Sequence, residues 1–113
     1  MTIDELIRDD LTTVALTGRL DSMVAPEVEQ RLLARAAVAS VNLVLDLSGL
    51  DYISSAGLRV VLMVAKQTKA VQGQLVLCGM NQQIRTIFEV SGFLTMLRVV
   101  ERCADALPVA GSA

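Results

Sequence analysis

Short apolar runs alternate with longer amphipathic stretches along the chain, and this alternation predicts strands and helices in turn. Two strand candidates open it, at residues 3–8 and 11–17, and the adjacent Asp9 and Asp10 between them are typical of a hairpin turn. The second candidate has the alternating pattern of a half-buried strand. Residues 18–21 break that pattern, so we expect the strand to end before them.

The middle of the chain carries the strongest periodic signals. Residues 25–39 place apolar side chains three and four positions apart, which predicts an amphipathic helix with Pro26 in its first turn. Residues 41–47 form a continuous apolar run, which predicts a strand buried on both faces. A second helix is predicted over residues 58–70, and Gly73 is expected to end it in a left-handed conformation.

The last third of the chain repeats the alternation of strand and helix. A short buried strand is predicted at residues 74–78, and a third helix at 82–90 with Asn81 as its cap. A short edge strand follows within residues 93–100, and a final helical turn at 101–107.

Strands separated by helices require crossover connections, so the later strands should pair in parallel. The predicted fold class is therefore α/β: a small mixed sheet, with a parallel centre and an antiparallel N-terminal hairpin, and helices packed against it. Residues 1–108 are expected to form one such domain, and residues 109–113 a disordered tail.

The segment between the central strand and the second helix carries the candidate chemistry. Residues 46–58 spell Asp-Leu-Ser-Gly-Leu-Asp-Tyr-Ile-Ser-Ser-Ala-Gly-Leu, an order that predicts a strand, a loop and the start of a helix. Ser54 and Ser55 then lie at or beside the helix N-cap, where unpaired backbone N–H groups favour an anion. We interpret the pair as a phosphorylation-controlled recognition site. Helix capping alone is the alternative interpretation, and the two roles are compatible.

Composition and charge argue against several classes of partner. The chain is 53% hydrophobic and only 3% aromatic, with a net charge of −2, so direct nucleic-acid binding is not expected. No apolar run reaches the roughly 18 to 20 residues that cross a bilayer, so we expect no membrane association and a cytoplasmic location. Cys78 and Cys103 are isolated in apolar sequence and are predicted to be buried or half-buried free thiols.

Enzyme chemistry has little support in the sequence. The chain has no histidine to activate Ser55, and Lys66 and Lys69 fall about three to four turns further along the same helix. Asp46 and Asp51 lack the third carboxylate or the histidine of a metal or acid–base site, so we interpret them as loop-ordering and turn-forming residues. We therefore expect no catalytic residue, no metal and no cofactor.

Three segments resemble the STAS domain family, and in particular the stand-alone bacterial anti-sigma factor antagonists. They are residues 16–21 with the helix after them, residues 46–58, and residues 75–79 continuing through 87–93. Together they span nearly the whole chain in the family's order, and the segment 46–58 is the specific motif. The resemblance implies a small sheet backed by helices and a protein that acts by binding rather than by catalysis.

The resemblance also implies a regulatory cycle. In such proteins a partner that is both anti-sigma factor and serine kinase phosphorylates a serine at the start of the central helix. The unphosphorylated form binds this partner and frees the sigma factor, phosphorylation releases it, and a serine phosphatase resets the cycle. The acceptor position falls on Ser55. Ser54 stands where the family commonly has aspartate, and Ala56 where it commonly has serine or threonine, so Ser54 becomes a competing acceptor.

The predicted partner-binding residues lie in or near these motifs. They are Asp21, Asp46, Asp51, Tyr52, Ser54, Ser55, Ala56, Gly57 and Arg59. Two alternative functions stay open: a STAS adaptor in a partner-switching pathway with an output other than a sigma factor, and a structural adaptor that is never phosphorylated.

Overall fold

The computed structural model describes residues 1–106, and the predicted tail at 109–113 lies outside the described residues. The strands are β1 (Thr2–Arg8), β2 (Leu11–Leu20), β3 (Asn42–Ile53), β4 (Gln74–Cys78) and β5 (Arg98–Val100). The helices are α1 (Ala25–Ala36), α2 (Ser55–Ala70) and α3 (Gln82–Val90), and two 3₁₀ turns lie at Phe93–Thr95 and Cys103–Ala106.

The strands form one sheet in the order β1-β2-β3-β4-β5. β1 and β2 are antiparallel, and the other three pairs are parallel, with one helix crossing over between each parallel pair. Arg8 pairs with Leu11 across the two-residue turn of Asp9 and Asp10, and Asp9 adopts a left-handed φ of 52°. The predicted mixed sheet with a parallel centre and an antiparallel N-terminal hairpin is confirmed.

The three helices cover one face of the sheet. Their inward side chains, which include Leu32, Val61 and Phe88, form one core with Leu45 and Leu77 of the central strands, and all five are fully buried. Each large apolar side chain buried in this way contributes about 1.5–3 kcal/mol, so this layer is the main source of stability. Within residues 1–106, no helix combines the length and the apolar character that a membrane span requires.

A smaller apolar cluster lies on the opposite face of the sheet. It contains Val44, Val76 and Cys78, and Ala106 of the last 3₁₀ turn packs onto it. Because Leu45 faces the helices while the adjacent Val44 joins this second cluster, β3 is buried on both faces as predicted.

Two strands run further than the sequence pattern indicated. β2 continues to Leu20 and β3 to Ile53, so the predicted break at 18–21 and the predicted loop before the serine pair were wrong. The two strands keep pairing after two register shifts, and this pairing joins Leu20 to Ile53. Gly49 permits the close approach, because a Cβ there would lie 2.8 Å from Thr17 Oγ1.

The ends of two helices also differ from the expectations. α1 ends at Ala36 rather than at residue 39. After α2, Gln72 and not Gly73 adopts the left-handed conformation, with a φ of 60°. Gly73 is needed for space instead, because a Cβ there would lie 2.5 Å from the Val41 carbonyl oxygen. The prediction for Gly73 was wrong because its small size serves the approach of two chain segments, which no local pattern shows.

Cys78 and Cys103 are bonded to each other in a disulfide, so the prediction of free thiols was wrong. The two residues are 25 positions apart, and α3 and β5 intervene. β5 returns the chain alongside β4, and this brings the Cα atoms of the two cysteines to 4.9 Å from each other. Spacing along the chain could not indicate a contact that the pairing of β4 with β5 creates.

An ion-pair cluster fastens the edge strand β1 to α1. The Glu5 carboxylate accepts hydrogen bonds from the guanidinium groups of Arg31 and Arg35, and Arg31 Nη2 lies 2.6 Å from Glu5 Oε2. These bonds, with Arg35 the larger influence, lower the pKa of the Glu5 carboxyl below its ordinary value of 4.5. The Glu5 side chain is only 17% exposed, so solvent screens the pairs incompletely.

Glu5→Gln is expected to lower the free energy of unfolding by about 1 kcal/mol at neutral pH. Because the pKa of Glu5 is lowered in the folded protein, the wild type has this contribution above about pH 4.5 and loses it as the pH falls through the folded pKa. Urea unfolding at neutral pH and at about pH 3 measures it, and the gap between wild type and variant should shrink in acid. Glu27→Gln, at a carboxylate 68% exposed, is the control and should change little. A gap of equal size at both pH values would contradict this role of Glu5.

Candidate functional site

The end of β3 and the start of α2 meet at the serine pair. Ile53 is the last residue of β3, and it pairs with Leu20 of β2. Ser54 stays extended, with φ −88° and ψ 173°, and its N–H donates to the Leu20 carbonyl oxygen at 2.9 Å. Ser55 is the first residue of α2. The serine pair therefore rests on backbone contacts with β2 rather than on a free loop.

The two serines have different environments. Ser54 is the N-cap of α2: its Oγ accepts a hydrogen bond from the Gly57 N–H at 3.2 Å, and its carbonyl oxygen accepts one from the Leu58 N–H at 2.9 Å. Ser54 is half-buried, whereas Ser55 is exposed. One hydroxyl is thus engaged in starting the helix, and the next one is accessible to a macromolecular partner.

Gly57 lets the first turn of α2 pack directly onto the ends of β2 and β3. A Cβ at this position would lie 2.7 Å from Leu20 Cγ and 2.8 Å from Ile53 Cγ1. The Leu20 carbonyl oxygen would be 3.0 Å away. The absence of a side chain at Gly57 therefore allows the helix to start this close to the sheet, and Ser55 is positioned accordingly.

The first turn of α2 favours negative charge. The N–H groups of Ser55 and Ala56 have no acceptor within the helix, and no acidic side chain lies in this turn. Arg59 follows Ser55 by one turn and is exposed. An anion on Ser55 would be stabilised here by about 0.3–1 kcal/mol.

Asp21 orders the turn between β2 and α1. Its Oδ1 accepts hydrogen bonds from the N–H groups of Met23 at 3.0 Å and Val24 at 3.2 Å, and its carbonyl oxygen accepts one from Ala25 at 3.0 Å. Asp21 follows Leu20 directly, so this turn starts beside the Ser54 backbone. The turn exposes the apolar residue Met23, which is 87% accessible to solvent and which the sequence pattern did not indicate as a site residue.

Asp51 and Tyr52 are among the last residues of β3 and directly precede Ile53 and the serine pair. Both are exposed, and the Arg19 guanidinium lies 4.2 Å from the centre of the Tyr52 ring, a cation–π contact. Arg19 and Tyr52 are register partners across β2 and β3. Sequence reasoning missed Arg19, because only the extended pairing of these strands brings it to the tyrosine.

A groove of about 310 Å³ separates the starts of α1 and α2. It is lined partly by Ser22 and Glu29 on the α1 side and by Ala56 and Arg59 on the α2 side. Ser22 and Glu29 were not among the predicted site residues, because the helical period of α1 alone does not show which residues face α2. The groove reaches Ala56, the residue after Ser55, and carries both signs of charge, which suits a protein partner more than a simple anion.

Asp46 is not brought together with the other predicted residues. It lies in the extended part of β3, where its Oδ1 accepts a hydrogen bond from the Ser48 N–H at 2.9 Å. A strand rises about 3.3 Å per residue, so Asp46 and Ser54 are on the order of 20 Å apart. The remaining predicted residues, from Asp21 to Arg59, lie around the junction of β2, β3 and α2.

This geometry agrees with a known family. The family model of the STAS domain matches residues 2–106, so the chain belongs to the STAS domain family. BtrV of Bordetella bronchiseptica, described as a candidate anti-sigma factor antagonist, is 46% identical over 99 residues, which cover 88% of this chain and 84% of BtrV. Anti-sigma factor antagonists partner with anti-sigma factors, and the chain is related to this branch of the family.

Solved structures show the same fold. An anti-sigma factor antagonist from Mycobacterium paratuberculosis matches with a TM-score of 0.86 and 24% identity, over 99% of this chain and 94% of that one. Unphosphorylated SpoIIAA, an anti-sigma factor antagonist, matches with a TM-score of 0.70 and 16% identity, over 92% of each chain. Bacillus SpoIIAA in its phosphorylated form matches with a TM-score of 0.66 and 18% identity, over 88% of this chain and 91% of that one.

Alanine substitutions of the two serines should differ in their effect on the free energy of unfolding. Ser54→Ala removes the N-cap acceptor of the Gly57 N–H and is expected to lower the free energy of unfolding by about 1 kcal/mol. Ser55→Ala should change it by less than about 0.5 kcal/mol, because an exposed helix position tolerates alanine well. Urea unfolding of both variants measures the difference. Equal losses would contradict the division between a capping and a free hydroxyl.

Gly57→Ala is expected to destabilise the protein by about 1–3 kcal/mol, because the new methyl group would overlap Leu20 and Ile53. Alanine has the better helix propensity by about 1 kcal/mol, so packing and propensity predict opposite signs. Urea unfolding of this variant decides between them. Ala34→Gly, at an exposed position within α1, is the control in which propensity acts alone. A stabilised Gly57→Ala protein would show that the helix start is not held at this height.

Proposed function

We propose that this protein is a phosphorylation-switched anti-sigma factor antagonist. Its unphosphorylated form binds an anti-sigma factor with serine kinase activity, phosphorylation of Ser55 releases it, and a serine phosphatase restores the binding form. It acts in the cytoplasm, as a binding module and not as an enzyme. The observation that carries the proposal is the exposed Ser55 hydroxyl at the tip of α2, on a backbone held rigidly by β2 and β3.

The environments of the two serines favour Ser55 over Ser54 as the acceptor. A kinase must reach the hydroxyl from solvent, and Ser55 is the exposed member of the pair. The Ser54 oxygen is half-buried and already accepts the Gly57 N–H, so its modification would disturb the start of α2. The serine at position 54, where the family commonly has aspartate, thus acts as the helix cap.

The fold should survive phosphorylation, because the added charge of about −1.5 to −2 sits at the favourable end of a helix dipole. The same charge changes the docking surface strongly. A partner that packs over Ser55 and the groove between α1 and α2 would have to desolvate this charge at a cost of several kcal/mol, and the exposed Asp51 precedes Ser55 by only four residues. The switch therefore works by repulsion and steric exclusion at the interface rather than by refolding.

Phosphorylation should require Ser55. The partner is first captured from the native cytoplasm with Ser55→Ala, which should bind it and cannot be released by modification at this position. Wild type, Ser54→Ala and Ser55→Ala are then incubated with that kinase and ATP. Mass spectrometry should find one phosphate on wild type and on Ser54→Ala, and none on Ser55→Ala. Phosphate on Ser54 in the wild type would overturn the assignment, and no phosphate on any form would favour an adaptor that is never phosphorylated.

Charge at Ser55 should weaken partner binding. Ser55→Asp is expected to raise the Kd for the kinase at least about tenfold relative to Ser55→Ala, which corresponds to about 1.4 kcal/mol. Gln83→Glu adds one charge at an exposed position of α3 and serves as the matched control with unchanged Kd. Calorimetric titration measures all three. Equal binding by Ser55→Ala and Ser55→Asp would leave the switch without a physical basis.

A further inference from the structure

A second group of reactive side chains lies on the sheet face opposite the helices. A carboxylate oxygen of Asp46 and the sulfur atoms of Cys78 and Cys103 all lie within 4.8 Å of one another. Neither cysteine lies at Ser55 or in the groove between α1 and α2, and Asp46 is the predicted site residue that the fold places apart from Ser55. The cluster therefore calls for an explanation of its own.

Rigid elements present all three side chains. Asp46 and Cys78 are register partners on the parallel strands β3 and β4, and Cys78 is fully buried. Cys103 is the first residue of the last 3₁₀ turn. Just before this turn, the Glu101 carbonyl oxygen accepts a hydrogen bond of 3.1 Å from the Gly79 N–H, which attaches the chain to the end of β4. The cluster is thus built into the sheet and does not depend on surface side chains that meet by chance.

The cluster has a polar neighbour and two half-buried members. Asp46 Oδ1 accepts a hydrogen bond from the Ser48 N–H, so we assign Oδ2 as the oxygen that would bind a further partner. Ser48 is exposed, and its Oγ lies 3.8 Å from Cys103 Sγ. The half-buried Asp46 and Cys103 give the cluster an opening to solvent on this side.

We infer that reduction of the disulfide converts this cluster into a binding site for a tetrahedral, thiophilic divalent cation of the zinc type. Two thiolates and a carboxylate are a ligand set that zinc accepts, with a fourth position left for water. Ligand atoms bound to one zinc ion lie about 3.4–3.8 Å from each other. Once the disulfide is broken, side-chain rotations that move each sulfur atom by about an ångström give this spacing.

The chemistry of the conversion balances. A phosphine reductant supplies two electrons and becomes its oxide with the oxygen of one water molecule, the S–S bond breaks, and each sulfur takes up one proton of that water. A dithiol reductant instead becomes a disulfide and passes on its own two protons. The cation then forms two metal–sulfur bonds and displaces those two protons. Once the cation is bound, the Asp46 carboxylate serves as its third ligand. The oxidised chain and the metal-loaded chain are thus mutually exclusive states of one site.

Cobalt(II) reports the predicted coordination directly, because tetrahedral cobalt–thiolate sites absorb in the visible and near-ultraviolet range. The full chain is reduced with a phosphine under anaerobic conditions and titrated with cobalt(II). We expect one ion per chain, cobalt–thiolate absorption that is absent before reduction, and displacement by zinc(II). Failure of the reduced protein to develop this absorption would overturn the inference.

Variants identify the ligands. Cys103→Ser should abolish the cobalt–thiolate absorption, and Asp46→Asn should weaken cobalt binding at least tenfold while the sulfur atoms remain. Asp4→Asn, at an exposed carboxylate of β1, is the control and should bind like wild type. Circular dichroism verifies the fold of each variant, and if Cys103→Ser does not fold, Asp46→Asn alone decides. Wild-type affinity in Asp46→Asn would reduce the site to a simple dithiol and contradict the three-ligand assignment.

Discussion

The pairing of β2 with β3 is the constraint on which the site depends. Had the two strands separated at Thr17, as a local pattern suggests, the serine pair would end a loop with many conformations. Instead the ladder continues to Leu20 and Ile53, and the Ser54 N–H completes it with one more bond to the Leu20 carbonyl oxygen. The helix start is thereby attached to the sheet through the main chain.

This attachment gives the serines their separate roles. Ser54 still belongs to the extended chain, so its hydroxyl reaches forward to the Gly57 N–H and starts the helix. Ser55 is already helical and exposed. Gly57 lets the first turn of α2 pack directly against Leu20 and Ile53, where a Cβ would overlap both side chains. In the proposed switch, a phosphoryl group at Ser55 would change the charge of a surface whose shape the sheet fixes, so release of the partner would not require refolding.

Asp46, the β3 member of the cysteine cluster, lies far along that strand from the serine pair. β3 carries Asp46 in its first half and leads to Ser54 at its end, on the order of 20 Å away by strand length. The Glu5 ion pairs tie the edge strand to α1, also away from the serines. The disulfide and the tip of α2 are therefore separate features of the domain and can be studied independently.

The sequence by itself determined the order of the elements, the hairpin at Asp9 and Asp10, the mixed sheet, a helix N-cap at or beside the Ser54–Ser55 pair, the cap at Asn81, and the motif around Ser55. These follow from apolar periodicity and capping chemistry, which act between residues near each other in the chain. Only the tertiary structure decided the continuation of β2 and β3, the contact of Arg19 with Tyr52, the separation of Asp46 from the serines, and the bond between Cys78 and Cys103. Each of these is a contact between strands or turns that are distant in sequence, and the register that creates such a contact is fixed by packing and pairing of the whole sheet.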